Sequence, residues 1–194
     1  PISHCDKFMQ VPYGRFAGFP AMASVTPTNV EVFFDVGDII VSKTDLKGRI
    51  TYANKVFCDV AGYSVPELMG QPHSIIRHPD MPRAVFKLLW DTLAQGQEIF
   101  AYVKNMTKHG DFYWVLAHVT PSYDANKNIV GYHSNRRVPE RRVLDSAIIP
   151  LYAQVLAEER RHANGKDALS HGFRFLVDFV ASQKVSYDEL VFAL

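Results

Sequence analysis

Ile99-Phe100-Ala101-Tyr102-Val103-Lys104-Asn105-Met106-Thr107-Lys108, His109-Gly110-Asp111 and Phe112-Tyr113-Trp114-Val115-Leu116-Ala117-His118-Val119-Thr120-Pro121 read as one β-hairpin. Both runs are rich in β-branched and aromatic residues, and the Gly-Asp pair between them is a tight-turn signal. Downstream, Asp124 to Asn128 is a polar turn and Ile129 to Arg137 a third long strand. Upstream, Ile39 to Thr44 and Arg49 to Ala53 are two short strands about a Lys47-Gly48 turn. Strands joined by short turns pair antiparallel.

Helical patterns separate the second strand from the third. Asn54 to Ala61 carries Val56, Phe57 and Val60 at helical spacing and stops at Gly62. Ser64-Val65-Pro66-Glu67 has the form of a capping box with proline in the first turn. A Pro- and His-rich loop, Gln71 to Asp80, leads to a helix expected over Met81 to Leu93, with Asp80 as its N-cap. The expected class is α+β: a five-stranded antiparallel sheet with short helices on one face. Three further helical stretches follow, Val143 to His162, Ala168 to Gln183 and Ser186 to Leu194. The chain divides into an N-terminal arm (1–38), an α+β unit (39–138) and a C-terminal helical extension (139–194).

Composition excludes several classes. With net charge +1 there is no electrostatic case for nucleic acid, and the Arg136-Arg137 and Arg141-Arg142 pairs read as a solvated face. The two cysteines, Cys5 and Cys58, lie far apart, so neither a disulfide framework nor a metal site is expected. No apolar run approaches the roughly 20 residues that span a bilayer. With no leader at the start, a reducing cytoplasm is the expected compartment. No phosphate-binding loop, dinucleotide fingerprint or paired-carboxylate pattern is present, so no catalytic residues are assigned and the chain is read as a non-enzyme.

Five segments carry a resemblance. They are Thr44-Asp45-Leu46 with Gly48 and Ile50 to Asn54; Ala61-Gly62-Tyr63; Gly70-Gln71-Pro72-His73 running to Arg77-His78-Pro79-Asp80-Met81-Pro82; Val103-Lys104-Asn105; and Gly110-Asp111 with Tyr113-Trp114-Val115. Together they resemble the PAS family, and more closely the flavin-binding PAS domain of bacterial aerotaxis receptors (the Aer type). The resemblance covers about half the chain and implies a five-stranded sheet enclosing a pocket that holds FAD. It also implies a redox or oxygen reporter acting through a separate signalling or chemotaxis protein, with a homodimer as the expected assembly. One departure stands out: Ile99 occupies the place where that type tends to carry a tryptophan.

Six residues are candidate cofactor contacts: Asn54, Arg77, His78, Trp90, Asn105 and Trp114. Asn105 presents both a donor and an acceptor, which suits the mixed edge of a flavin pyrimidine. Arg77 can pair with a carbonyl or phosphate. Trp90 and Trp114 offer stacking surfaces, and Asn54 can also cap the helix that follows it. FMN and haem are the alternative cofactors. His73, His78, His118 and His133 supply four imidazoles for haem. A cofactor-free interaction module is a third reading. A flavin–cysteine photoadduct is not expected, because the Gln71 to Asp80 loop holds no cysteine.

Overall fold

The computed structural model describes residues 25–193. Five strands, β1 (Ile40–Thr44), β2 (Ile50–Ala53), β3 (Ile99–Met106), β4 (Phe112–Tyr123) and β5 (Ile129–Arg137), form one antiparallel sheet in the order β2-β1-β5-β4-β3. β3 and β4 pair from Ile99↔Val119 to Met106↔Phe112, and Gly110 closes their turn at φ +97°. A Cβ on Gly110 would lie 2.3 Å from the Thr26 carbonyl oxygen, so the turn needs glycine for space as well as conformation.

Three helices cross between β2 and β3: α1 (Lys55–Ala61), α2 (Val65–Leu68) and α3 (Arg83–Ala94), with a single 3-10 turn at His73–Ile76. Asn54 caps α1, its Oδ1 accepting from the Phe57 amide. The expected capping box at α2 is present, the Glu67 carboxylate accepting from the Ser64 amide and hydroxyl. Asp80, by contrast, does not cap the long helix. That helix starts later, at Arg83, and Asp80 turns to the Lys104 ammonium 3.1 Å away. The amides of Arg83 and Ala84 are satisfied by the carboxylate of Glu159, at 3.1 and 2.8 Å, from the other end of the chain.

Side chains alternate across the sheet. The cup face, roofed by α1 and α3, carries Ile40 and Ser42 of β1, Val103 and Asn105 of β3, Tyr113, Val115 and Ala117 of β4, and Tyr132 and Arg136 of β5. The far face carries Phe100, Lys104, Trp114 and His118. The C-terminal helices reach around to it. One turn (Arg141–Val143) runs through a π-turn (Leu144–Ile148) into α4 (Ile149–Arg160), followed by α5 (Gly165–Ser182) and α6 (Tyr187–Ala193). Tyr152 of α4 stands 6.3 Å from the Trp114 ring and donates its hydroxyl to the Tyr102 carbonyl at 2.8 Å. In α6, Leu190 and Val191 are buried, and Phe192 meets Phe100 edge-on at 4.6 Å. The apolar end of the chain thus packs on the chain itself as far as it is described.

The N-terminal arm (1–38) is described from residue 25 onward and packs against the sheet. Val30 and Val32 exchange backbone hydrogen bonds with Phe112, beside the first residues of β4 that β5 leaves unpaired. Phe8, Tyr13, Phe16, Phe19 and Cys5 lie outside the described residues.

Candidate functional site

The candidate site is the polar end of the cup. β5 alternation turns Arg136 inward, where it is 2 % exposed, while its neighbour Arg137 faces solvent. The expected solvated pair is therefore half wrong: strand alternation separates two adjacent arginines that composition lumps together. The Arg136 guanidinium lies 4.5 Å from the centroid of the Phe57 ring and donates one Nη2 bond to Ser42 Oγ. Its Nε and Nη1 have no hydrogen-bond partner, and among the described residues no carboxylate pairs with it. Burial pulls its pKa down to about 10.

Two more buried donors sit in the same region without partners, the Tyr113 hydroxyl and Asn105 Nδ2. Tyr113 and Asn105 are directly opposite on β4 and β3. They lie close enough for the amide to bear on the phenol, yet the contact lacks hydrogen-bond geometry, and geometry decides. Burial pushes the Tyr113 phenol far above its ordinary range, with the Arg136 charge opposing. Buried polar atoms are nearly always paired, so three orphans facing one interior require an explanation.

Behind Arg136 runs a short relay. Ser42 Oγ accepts from Arg136 and is hydrogen-bonded to His73 Nε2, 3.2 Å away. Burial first, and then the Arg136 charge, pull the His73 pKa down to about 3. At the other end of the cup Trp90 meets Tyr132 edge-on at 5.3 Å and supports the Lys47-Gly48 turn, 3.5 Å from where a Gly48 Cβ would stand.

The six sequence candidates divide. Asn105 and Trp90 face the cup. Asn54 is used as a clamp: Oδ1 accepts from the Val41 and Phe57 amides and Nδ2 donates to the Ile39 carbonyl. Arg77 lies at the β3 edge, bridged by backbone to Asn105, with its guanidinium over Phe86 and bonded to the Met81 carbonyl. His78 is buried beside Phe112; its Nδ1 accepts from the Asp80 amide, leaving the proton on Nε2. Trp114 needs correction. It pairs with Lys104, one step out of phase with Asn105 and Tyr113, and so faces Tyr152 on the opposite side of the sheet. Of the histidines weighed for haem, His118 and His133 also alternate to that side. Arg136, Tyr113 and Ser42 were missed. The period-two register counted from Asn105 would have found Tyr113.

Similar proteins agree on the architecture. Residues 50–136 match the family model for the PAS fold. The chain is 46% identical over 114 residues to the aerotaxis receptor of Escherichia coli (strain K12), covering 58% of this chain and 22% of that protein. It is 28% identical over 117 residues to a nitrogen fixation regulatory protein of Klebsiella pneumoniae, covering 59% of this chain and 24% of that one. The chain thus spans less than a quarter of the length of either relative. Among solved structures, a light-oxygen-voltage domain studied with a flavin analogue superposes with TM-score 0.51 at 17% identity, over 60% of this chain and 87% of the other. The dark-state light-oxygen-voltage domain of the blue-light photoreceptor Aureochrome1 superposes with TM-score 0.50 at 22% identity, over 60% and 85%. At those identities the likeness is one of fold. The five-stranded cup, its helical roof and the match over residues 50–136 give the chain the PAS fold, carried here with a C-terminal helical extension.

Proposed function

We propose that the cup binds a flavin, FAD in the first place, and reports its redox state to a separate signalling partner, in the manner expected of an aerotaxis or energy sensor. The observation that carries this reading is the buried, unpaired Arg136 beside the orphaned Tyr113 hydroxyl and Asn105 amide. An isolated buried cation is disfavoured by on the order of several kcal/mol. A guest presenting carbonyl oxygens and a ring nitrogen there would satisfy all three groups, and its flat apolar body would lie toward Trp90 and Tyr132. A bound flavin supplies reversible electron uptake with a change of charge at that polar edge. The protein's own residues orient it, keep water from it and answer the charge. The similarity to an aerotaxis receptor points the same way.

The module acts by binding, with no catalytic step of its own, and the expected setting is a cytoplasmic homodimer. Among the described residues no helix is long and apolar enough to cross a membrane.

Purified protein is expected to be yellow, or to become so on reconstitution with FAD, and Arg136→Leu is expected to weaken FAD binding by about 10- to 100-fold, the range for losing charge-assisted hydrogen bonds. FMN binding preferred over FAD narrows the reading to the smaller flavin. A Soret band in place of flavin bands makes it a haem sensor. A protein that stays colourless after reconstitution is an interaction module, and the redox reading fails.

A further inference from the structure

At the far end of the C-terminal hairpin, Glu158, His162 and His171 converge. Glu158 and His162 are four residues apart, on one face of α4 and its exit. His171 comes from α5, brought back by the Asn164-Gly165 turn, in which Asn164 Oδ1 caps α5. The two imidazoles stack with centroids 3.9 Å apart and planes 12° apart. Glu158 Oε1 lies 3.5 Å from His162 Nε2, while Oε2 is held by Arg161 at 2.6 Å.

We propose that these three side chains bind a divalent transition-metal ion, zinc first. One potential donor atom from each lies within 4.8 Å of the others. Ligands about 2.0–2.1 Å from a tetrahedral zinc stand roughly 3.4 Å apart, so the two rings turn out of their stack for their lone pairs to converge on one ion. Two imidazoles and one carboxylate form a donor set for zinc, cobalt, nickel or copper, and not for the hard ions calcium or magnesium. The division of labour on Glu158 suits this role: Oε1 is the ligand, and the Arg161 bond on Oε2 fixes the carboxylate from behind. Three protein ligands leave a fourth position to water or to a side chain of another molecule.

The site is also mechanically placed. The ion would staple α4 to α5 next to Glu159, whose carboxylate caps α3. Metal binding would therefore stiffen the contact between the extension and the roof of the cup. None of this depends on the flavin reading.

The test is titration of the full chain with zinc, followed by calorimetry, and with cobalt, followed by its visible ligand-field bands. One equivalent is expected to bind, with bands of a tetrahedral or five-coordinate nitrogen–oxygen site and a raised unfolding temperature. His171→Ala, at an exposed position, is expected to weaken binding by about tenfold or more and to leave the metal-free unfolding temperature unchanged. His162→Asn is expected to do the same to affinity. Absence of saturable binding, or binding as strong in either variant as in the unsubstituted protein, overturns the proposal.

Discussion

On the proposed reading, Arg136 carries opposite signs for stability and for flavin binding. Without a guest, its orphaned Nε and Nη1 strain the core. Arg136→Leu is therefore expected to leave the cofactor-free unfolding midpoint unchanged or raised, while flavin uptake falls. Urea unfolding of the flavin-free variant against wild type checks this, and a large loss of stability would mean that the guanidinium is a structural strut. His73 gives a pH dependence. Its native pKa is pulled down to about 3, whereas in the unfolded chain it stays near its ordinary value of about 6.5. Between those values the unfolded chain binds the proton and the native protein does not. Stability is thus undiminished above about pH 6.5 and falls as pH drops toward 3. The slope has an upper limit of about 1.4 kcal/mol per pH unit for one proton. His73→Gln is expected to flatten the fall of the urea midpoint between pH 7 and 5. His78, whose pKa is lowered to about 4 by burial and by Lys104, with Asp80 opposing, leaves a residual slope.

Between elements, the decisive contact is the Glu159 carboxylate on the N-terminus of α3. The first amides of a helix lack partners within it, and here the usual local cap is replaced by a distant one. Gly172 of α5 makes room for it: a Cβ there would lie 2.5 Å from Glu159 Cγ. Glu159→Ala is expected to destabilise by about 1–3 kcal/mol, the range for a lost charge-assisted bond to buried donors. Gly172→Ala should destabilise by displacing the same side chain. The double variant should lose less than the sum, because once the carboxylate is gone the added methyl meets no clash. Strict additivity in urea unfolding would sink the account. The same clamp explains why α3 begins at Arg83 and not at the Asp80 that local sequence favours.

Across the whole molecule, the sheet is the partition between a cup with unsatisfied polar groups and a far face covered by the chain's own helices. On the proposed reading, a change at Arg136 or Asn105 has two structural routes outward. One passes along β5 into the Arg141–Val143 turn. The other passes through α3 to Glu159. In FAD-loaded protein, chemical reduction is expected to change amide exchange within 141–160 and at the start of α3, while α2 stays as it was. Equal exchange in both redox states would remove the extension from any signalling role.

Local chemistry in the sequence was enough for the five strands, the Gly110 turn, the Asn54 cap and the Ser64 capping box, because alternation, turn residues and caps act over two to four positions, whereas Asn105 was singled out by the resemblance. Only tertiary structure decided that Arg136 is buried while Arg137 is not, that Glu159 caps α3, and that His171 meets Glu158 and His162. Each of those depends on which strand lies beside which, or on how a helix returns. Packing sets such facts between residues far apart in the chain, and the alphabet of local preference does not record them.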